Sequence, residues 1–264
     1  MNTLRKLLWP TYTRTKLYDK ATDNIPYDQL IKQNAAIVVK GLKRGTYLDL
    51  GCGTGNQAIQ LALNAGPDAR VIGIDKSPEA LEIAQKKYER MKREYVLANI
   101  SFIEGDIAQP LPFSDSQFEG ITANNSIYLV DPFSPIIEAL RVMKSGSLFL
   151  MSNPRDRETS SSLAIVVDHI SQKKEEFNNH YGKVLGDIAL SGHILNRGPD
   201  YFLILPFEFA LRYNLFNVDS RFWPVERWIN EIEKARKLSP YQFTMRPPFE
   251  SYSNQNHTIV IEKS

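Results

Sequence analysis

The sequence has a single cysteine, Cys52, so neither a disulfide framework nor a cysteine-rich zinc site can be built from it. It also lacks a charge surplus. Its 32 Lys and Arg against 30 Asp and Glu leave a formal net charge of +2, too small for a protein whose affinity comes from neutralising many nucleic-acid phosphates. No stretch approaches the roughly 20 apolar residues of a membrane span, and the greasiest, Tyr201 to Leu211, is interrupted by Pro206 and Glu208. The start lacks the apolar core and small-residue cleavage site of a secretory signal, so the expected compartment is the cytoplasm. With 42% hydrophobic residues, 15 Pro and 14 Gly spread along 264 positions, disordered and collagen-like classes are excluded as well.

What charge there is sits unevenly. Residues 1 to 46 hold nine Lys or Arg against three Asp, a local +6, so the remainder sums to about −4 by subtraction. A solvated helical face accounts for this, and so does a surface for an acidic partner or a membrane. Leu7, Leu8 and Trp9 beside Arg5 and Lys6 would supply an apolar wedge for peripheral membrane contact.

The length suits one large domain, or a domain carrying an insertion. From residue 46 to 152, short apolar runs alternate with helix-period segments, the pattern of a parallel α/β sheet. Strands are expected at Tyr47–Leu50, Val71–Asp75, Ile100–Glu104, Phe118–Ala123 and Ser147–Ser152. After Asp75, Ser77 can cap, Pro78 fits the first helical position, and Leu81, Ala84, Tyr88 and Met91 recur at helical spacing. Ser134 and Pro135 repeat that start before Ile136, Ile137, Leu140 and Met143, with Gly146 as the stop. Beyond Ser152 the alternation breaks for about seventy residues, with helices expected at Ser160–Glu176 and within Tyr201–Phe216, and loops near Gly192 and Gly198. The tail returns to the earlier style, with a helix from Val225 and two strands, Tyr241–Met245 and His257–Glu262, expected to pair antiparallel. These divisions give an N-terminal helical cap (1–40), a core (41–154), a helical insertion (155–224) and the rest of the core sheet (225–264).

The segment Tyr47-Leu-Asp-Leu-Gly-Cys-Gly-Thr-Gly-Asn56 places three glycines between a strand and a helix, where backbone must approach a ligand and helix N–H groups face it. Asp75 ends the second strand twenty residues after Gly55, where a carboxylate can take both hydroxyls of a ribose. Asp106 follows the third strand in Glu104-Gly-Asp-Ile107, beside the same crevice and suited to accept from an adenine amine. The dinucleotide fingerprint G-x-G-x-x-G is not met, since Gly51, Gly53 and Gly55 fall one residue short.

With those residues in place, the sequence resembles the class I S-adenosylmethionine-dependent methyltransferases, in the branch of the ubiquinone, menaquinone and sterol enzymes. The resemblance covers residues 40 to 152, including Leu111-Pro-Phe-Ser-Asp-Ser-Gln-Phe118 and Ala139-Leu-Arg-Val-Met-Lys-Ser-Gly146. It implies a doubly wound, mostly parallel seven-stranded sheet with an antiparallel last strand and an α-rich insertion after the fifth strand. It further implies S-adenosyl-L-methionine as cofactor and no metal. Gly51 and Gly53 would lie against the methionine part, Asp75 on the ribose, Asp106 with Ile107 on adenine, and Asn124 near the methionine amine. Asp49 would support the loop, and Tyr18 would come over the cofactor from the N-terminal segment. Lys144-Ser-Gly-Ser147 and Glu119 depart from the family's Lys-Pro-Gly-Gly and Asp, which puts a loop shape in question.

A base is needed where the acceptor carries a proton. His169, His180 and His193 fall in the insertion, and His193, beside Gly192 in a segment read as irregular, is the base candidate. Asn124-Asn-Ser-Ile-Tyr128 stands where enzymes acting on nucleic-acid amino groups carry an Asp/Asn-Pro-Pro-aromatic motif, so nucleic acid is disfavoured as a partner. The aromatic stretch Tyr201–Phe216 fits a lipophilic acceptor, a lipid or an isoprenoid, and equally ordinary core or a homodimer face. A non-catalytic S-adenosylmethionine-binding protein, an NAD(P)-dependent oxidoreductase and an enzyme bridging lipid double bonds are the alternatives.

Overall fold

The computed structural model describes residues 17–42, 44–155, 162–212, 221–252 and 254–264, with the side chains of 17, 21, 162–165 and 198–212 outside that description. The basic wedge at Leu7 to Trp9 and the side chains of the aromatic stretch Tyr201–Phe216 therefore lie outside the described residues.

Five parallel strands form the centre: β1 (Gly45–Leu50), β2 (Ala69–Asp75), β3 (Asn99–Glu104), β4 (Phe118–Asn124) and β5 (Met143–Pro154). At the end of the chain come β6 (Phe243–Met245), β7 (Phe249–Ser251) and β8 (Asn256–Lys263), with β8 antiparallel to β5 and both short strands antiparallel to β8. The order is β3-β2-β1-β4-β5-β8-β6, with β7 also on β8. The direction of winding reverses between β1 and β4. In an open α/β sheet that reversal opens a crevice at the carboxyl ends of the strands.

Helices α1 (Leu17–Thr22) and α2 (Ile25–Val39) precede the sheet, α3 (Asn56–Ala65) and α4 (Pro78–Glu94) cross between strands, and α5 (Phe133–Val142) leads into β5. The insertion is a helical hairpin, α6 (Ser162–Tyr181) and α7 (Lys183–Arg212), and α8 (Val225–Leu238) follows it. One face of the sheet is sealed by Val38 and Val39 of α2, Leu61 and Ala62 of α3 and Tyr88 of α4. Ile136 and Leu140 of α5 and Trp228 and Ile232 of α8 seal the other. Both layers are apolar because each strand is buried on two sides. Among the described residues no helix is long and apolar enough to cross a membrane.

Four expectations need correction. The sheet has eight strands and not seven, because Phe249–Ser251 adds a three-residue edge after Pro247 and Pro248, too short to show a period in the sequence. Met143 is not helical. It opens β5 opposite Phe118, and Gly146, expected as a helix stop, sits inside that strand at φ +75°, next to the irregular register between β4 and β5. No loop interrupts the insertion at Gly192 or Gly198, since α7 runs through both and through Pro199. Packing along α6 outweighs the roughly 1 kcal/mol that a helical glycine costs. Hence His193 stands on a helix and not in an irregular segment.

Candidate cofactor and acceptor site

The glycine loop is held from below by the next strand. Gly51 and Cys52 donate their backbone N–H groups to the Ile74 carbonyl at 2.8 and 3.0 Å. Ser126 donates its hydroxyl to the Leu50 carbonyl at 2.7 Å and lies where a Cβ on Gly51 would collide with it. Gly51 is at φ +67° and Gly53 at +52°, a region that favours glycine. The space where a Cβ on Gly53 would point is open to 4 Å. A ligand can therefore reach bare backbone there.

Asp75 ends β2 with both carboxylate oxygens engaged: Oδ2 accepts from Gly53 N and Oδ1 from Ser77 N, each at 2.9 Å. The group thus ties the loop to the start of α4, as a cap would. A carboxylate has about four lone-pair sites, so capacity remains for a hydroxyl donor. Burial raises its pKa, opposed by those backbone donors.

Asp49 lies buried under the loop, with Oδ1 accepting from the Thr122 hydroxyl at 2.9 Å and Oδ2 without a hydrogen-bond partner. Burial pushes its carboxyl up to about 7. A buried carboxyl with an unmatched oxygen is suited to a cationic amine, which is the group that the methionine part of the expected cofactor carries. Gly53's open backbone, the spare lone pairs of Asp75 and this orphaned oxygen together fit S-adenosylmethionine.

Asn124, the last residue of β4, is buried between two helices. Its Oδ1 accepts from Asn34 Nδ2 of α2 at 2.7 Å, and its amide donates to Gln57 Oε1 of α3 in a short contact. Gln57 in turn donates to the Ile31 carbonyl at 3.3 Å. Asp106 is exposed, accepting from Ala108 N at 3.0 Å, while Ile107 beside it is buried and faces Gly51. Tyr18 shares a hydroxyl contact of 3.2 Å with Tyr27. It is Asp19, its neighbour, that reaches the loop: Asp19 Oδ1 accepts from the Thr54 hydroxyl at 2.5 Å and from Lys87 Nζ at 2.8 Å. Lys87 also donates to Asn56 Oδ1 at 2.5 Å.

His193 meets His169 ring to ring, Nε2 to Nε2 at 3.3 Å, and His169 Nδ1 accepts from Ile25 N at 3.1 Å. That acceptor role leaves the Nε2 of a neutral His169 as the donor to His193. Burial holds both rings below their ordinary pKa, His169 at about 4, with Lys173 and Arg197 adding to the effect at both and His193 adding to it at His169. The pair is thus a join between the insertion hairpin and the start of α2, where Arg197 and Asp23 add an ion pair of 2.8 Å.

The structure places Gly51, Gly53, Asp75, Asp106 and Ile107 at or just beyond the ends of adjoining strands, and around them it brings Asp19, Lys87, Asn34, Gln57 and Ser126, which the sequence did not single out. Those act across the fold, and no local spacing announces them. Among the described residues no three His, Cys, Asp or Glu side chains cluster to hold a metal. Cys52 is buried, its thiol pushed well above the usual range by burial and by Asp49 and Asp75.

A family described as the methyltransferase domain matches residues 42–205. The chain is 36% identical over 134 residues to the chloroplastic 2-phytyl-1,4-beta-naphthoquinone methyltransferase of Arabidopsis thaliana, covering 50% of this chain and 51% of the relative. To the demethylmenaquinone methyltransferase of Staphylococcus aureus it is 31% identical over 137 residues, covering 51% and 54%. The chain thus matches about half the length of these curated relatives. The geranyl diphosphate C-methyltransferase of Streptomyces coelicolor A3(2), solved with Mg2+, geranyl diphosphate and S-adenosyl-L-homocysteine, shares the fold at a TM-score of 0.53 and 11% identity, over 92% of this chain and 85% of the other. With the family matched over more than half of the sequence, the chain belongs to the S-adenosylmethionine-dependent methyltransferase-domain family.

Proposed function

We propose that this chain moves a methyl group from S-adenosylmethionine to a small lipophilic acceptor by C- or O-methylation. The observation that carries the reading is the cradle itself: open backbone at Gly53, Asp75 with unused lone pairs at its rim, and the unmatched oxygen of buried Asp49 beneath it. When bound, the cofactor supplies an electrophilic methyl on a sulfonium. The chain's own part is alignment, an effect worth roughly 7 to 11 kcal/mol in well-oriented reactions. Asp75 takes the ribose hydroxyls, Asp106 and Ile107 border the adenine, and Asp49 faces the amine. The buried amides of Asn34, Asn124 and Gln57 fix the crevice wall.

A lipophilic acceptor is supported by the aromatic stretch Tyr201–Phe216 in the insertion and by the quinone names of the two curated relatives. The basic N-terminal stretch supports collection of that acceptor at an anionic membrane surface, at roughly 1 kcal/mol per Lys or Arg near the leaflet. Tritium transfer from methyl-labelled S-adenosylmethionine to a reduced, short-chain prenylated naphthoquinone tests the acceptor, with label expected in the organic phase. Label that stays aqueous while an amine or a polar phenol is methylated overturns the lipophilic reading. Sedimentation with anionic and neutral vesicles at two salt concentrations tests the surface, and binding indifferent to salt and lipid charge removes it.

A further inference from the structure

At the carboxyl end of β5 the sheet buries polar atoms that nothing in the fold satisfies. Asn153 is 1% exposed, yet neither its Nδ2 nor its Oδ1 has a hydrogen-bond partner. Two residues on, the buried Nε of Arg155 is likewise unmatched. Native folds pair more than nine buried polar groups in ten, and an unpaired one is a standing cost to stability. Three such atoms together call for a function.

The register places them. Asn153 lies opposite His257 on β8, and His257 lies opposite Glu250 on β7, so the three side chains project from one face of the sheet. That face is the one on which Met151 and Ile259 pack against the α5 and α8 layer. Arg155 joins the row through its ion pair with Glu250 at 2.6 Å, with its Nη1 also donating to the Asn254 carbonyl at 3.2 Å. On the inner side, Asn125 N donates to the Ser152 carbonyl at 2.8 Å, and Ser126 beyond it presses on Gly51. Only β4 separates β5 from the strand that carries the glycine loop. Neighbouring strands are about 4.8 Å apart, so the backbone that carries Asn153 runs about 10 Å across from the strand of the cofactor loop.

We propose that Asn153 and Arg155 form the oxygen-recognition subsite of the methyl acceptor. Resting on the function proposed above, this reading adds the acceptor's polar chemistry. The unmatched set comprises the two N–H donors of an amide, its carbonyl acceptor and one guanidinium N–H. It complements a ring that carries a hydroxyl and a carbonyl, or a hydroxyl in its ionised form, with Asn153 Oδ1 accepting from the hydroxyl and the N–H groups donating to oxygen. Arg155 and Asn153 are positioning residues for orientation. An isosteric hydrocarbon at position 153 would remove the unsatisfied amide and leave the fold as stable or more so, so stability and recognition are opposed at this residue.

The test uses the full chain saturated with S-adenosylhomocysteine and 2-hydroxy-1,4-naphthoquinone as a coloured binding probe. Expected in Asn153→Leu is a melting temperature equal to or above the parent, unchanged affinity for S-adenosylhomocysteine, and a dissociation constant for the probe at least tenfold higher. Arg155→Met, with Glu250→Gln as the variant that removes only its ion-pair partner, is expected to weaken the probe by a similar factor, whereas Glu250→Gln is not. Probe affinity unchanged in Asn153→Leu, or no binding of the probe to the parent chain, overturns the subsite. If the parent binds the probe and Asn153→Leu loses it, but prenylated naphthoquinol takes no methyl group, the subsite stands and the acceptor class proposed above falls.

Discussion

Two carboxylates that flank one glycine loop in the fold are set to opposite tasks by their surroundings. Asp75 accepts from two backbone N–H groups and keeps lone pairs for a ligand, so Asp75→Ala is expected to weaken S-adenosylmethionine binding by about 1.5 to 3 kcal/mol, the range for hydrogen bonds to charged groups. Titration calorimetry measures this, and unchanged affinity removes Asp75 from the ribose. Asp49 has one oxygen unmatched and a carboxyl held near 7 by burial. Its folded pKa lies above the unfolded value, so the native state holds the extra proton, and the stability it lends is present below about pH 4 and lost as pH rises through about 7. A cationic amine placed against it favours the carboxylate. Cofactor binding at pH 6 to 6.5 is therefore expected to release a proton, seen as a dependence of the binding heat on buffer ionisation enthalpy. That dependence is expected to vanish in Asp49→Asn.

Elements were legible in the sequence wherever their ends are decided by adjacent residues. Ser77 caps α4 as its position predicted, its Oγ accepting from Ala80 N at 3.2 Å, with Pro78 at the first helical position. The first helix of the hairpin, α6, is legible, but the unbroken run of α7 is not, because its glycines answer to a partner and not to their neighbours in sequence: a Cβ on Gly186 would come within 2.8 Å of Asn178 N on the other helix. The same non-local logic governs His193. Its ring is tied through His169 to Ile25 at the start of α2, a join across 144 positions that no spacing foretells. Here the pH sign is the reverse of that at Asp49. His169, at about 4, lies below its unfolded value near 6.5, so the stability it lends is full above 6.5 and is lost as pH falls toward 4. Hydrogen exchange over α6 and α7 is expected to accelerate between pH 6 and 4.5 relative to the sheet. His169→Ala is expected to show that faster exchange already at pH 7.5, and protection equal to the parent's there means the hairpin is held by other contacts.

At the scale of the molecule, the site is divided between what one crevice places together and what a distant segment adds. Gly51, Gly53, Asp75 and Asp106 were readable because a parallel sheet sends successive strand ends to one edge. On the same short helix as Tyr18, Asp19 accepts from Thr54 on the loop and from Lys87 on α4. This join ties α1 to the loop and to α4, and α1 is expected to close the cradle. A ligand at a hundredfold excess over its dissociation constant stabilises the native state by about 2.7 kcal/mol, which raises the melting temperature of a chain this size by roughly 5 to 11 °C. In Asp19→Ala, Thr54 and Lys87 lose their common acceptor and the closed form becomes the minor one. If it falls to a tenth, the apparent dissociation constant of S-adenosylhomocysteine rises tenfold, and the stabilisation at the same ligand concentration drops by about 1.3 kcal/mol. The ligand-induced increment is the quantity to follow, since loss of the Lys87 ion pair lowers the ligand-free melting temperature on its own account. Asp19→Asn keeps an acceptor for Thr54 without the charge and is expected to fall between. A full increment in Asp19→Ala would place α1 beside the cradle as a neighbour that does not close it.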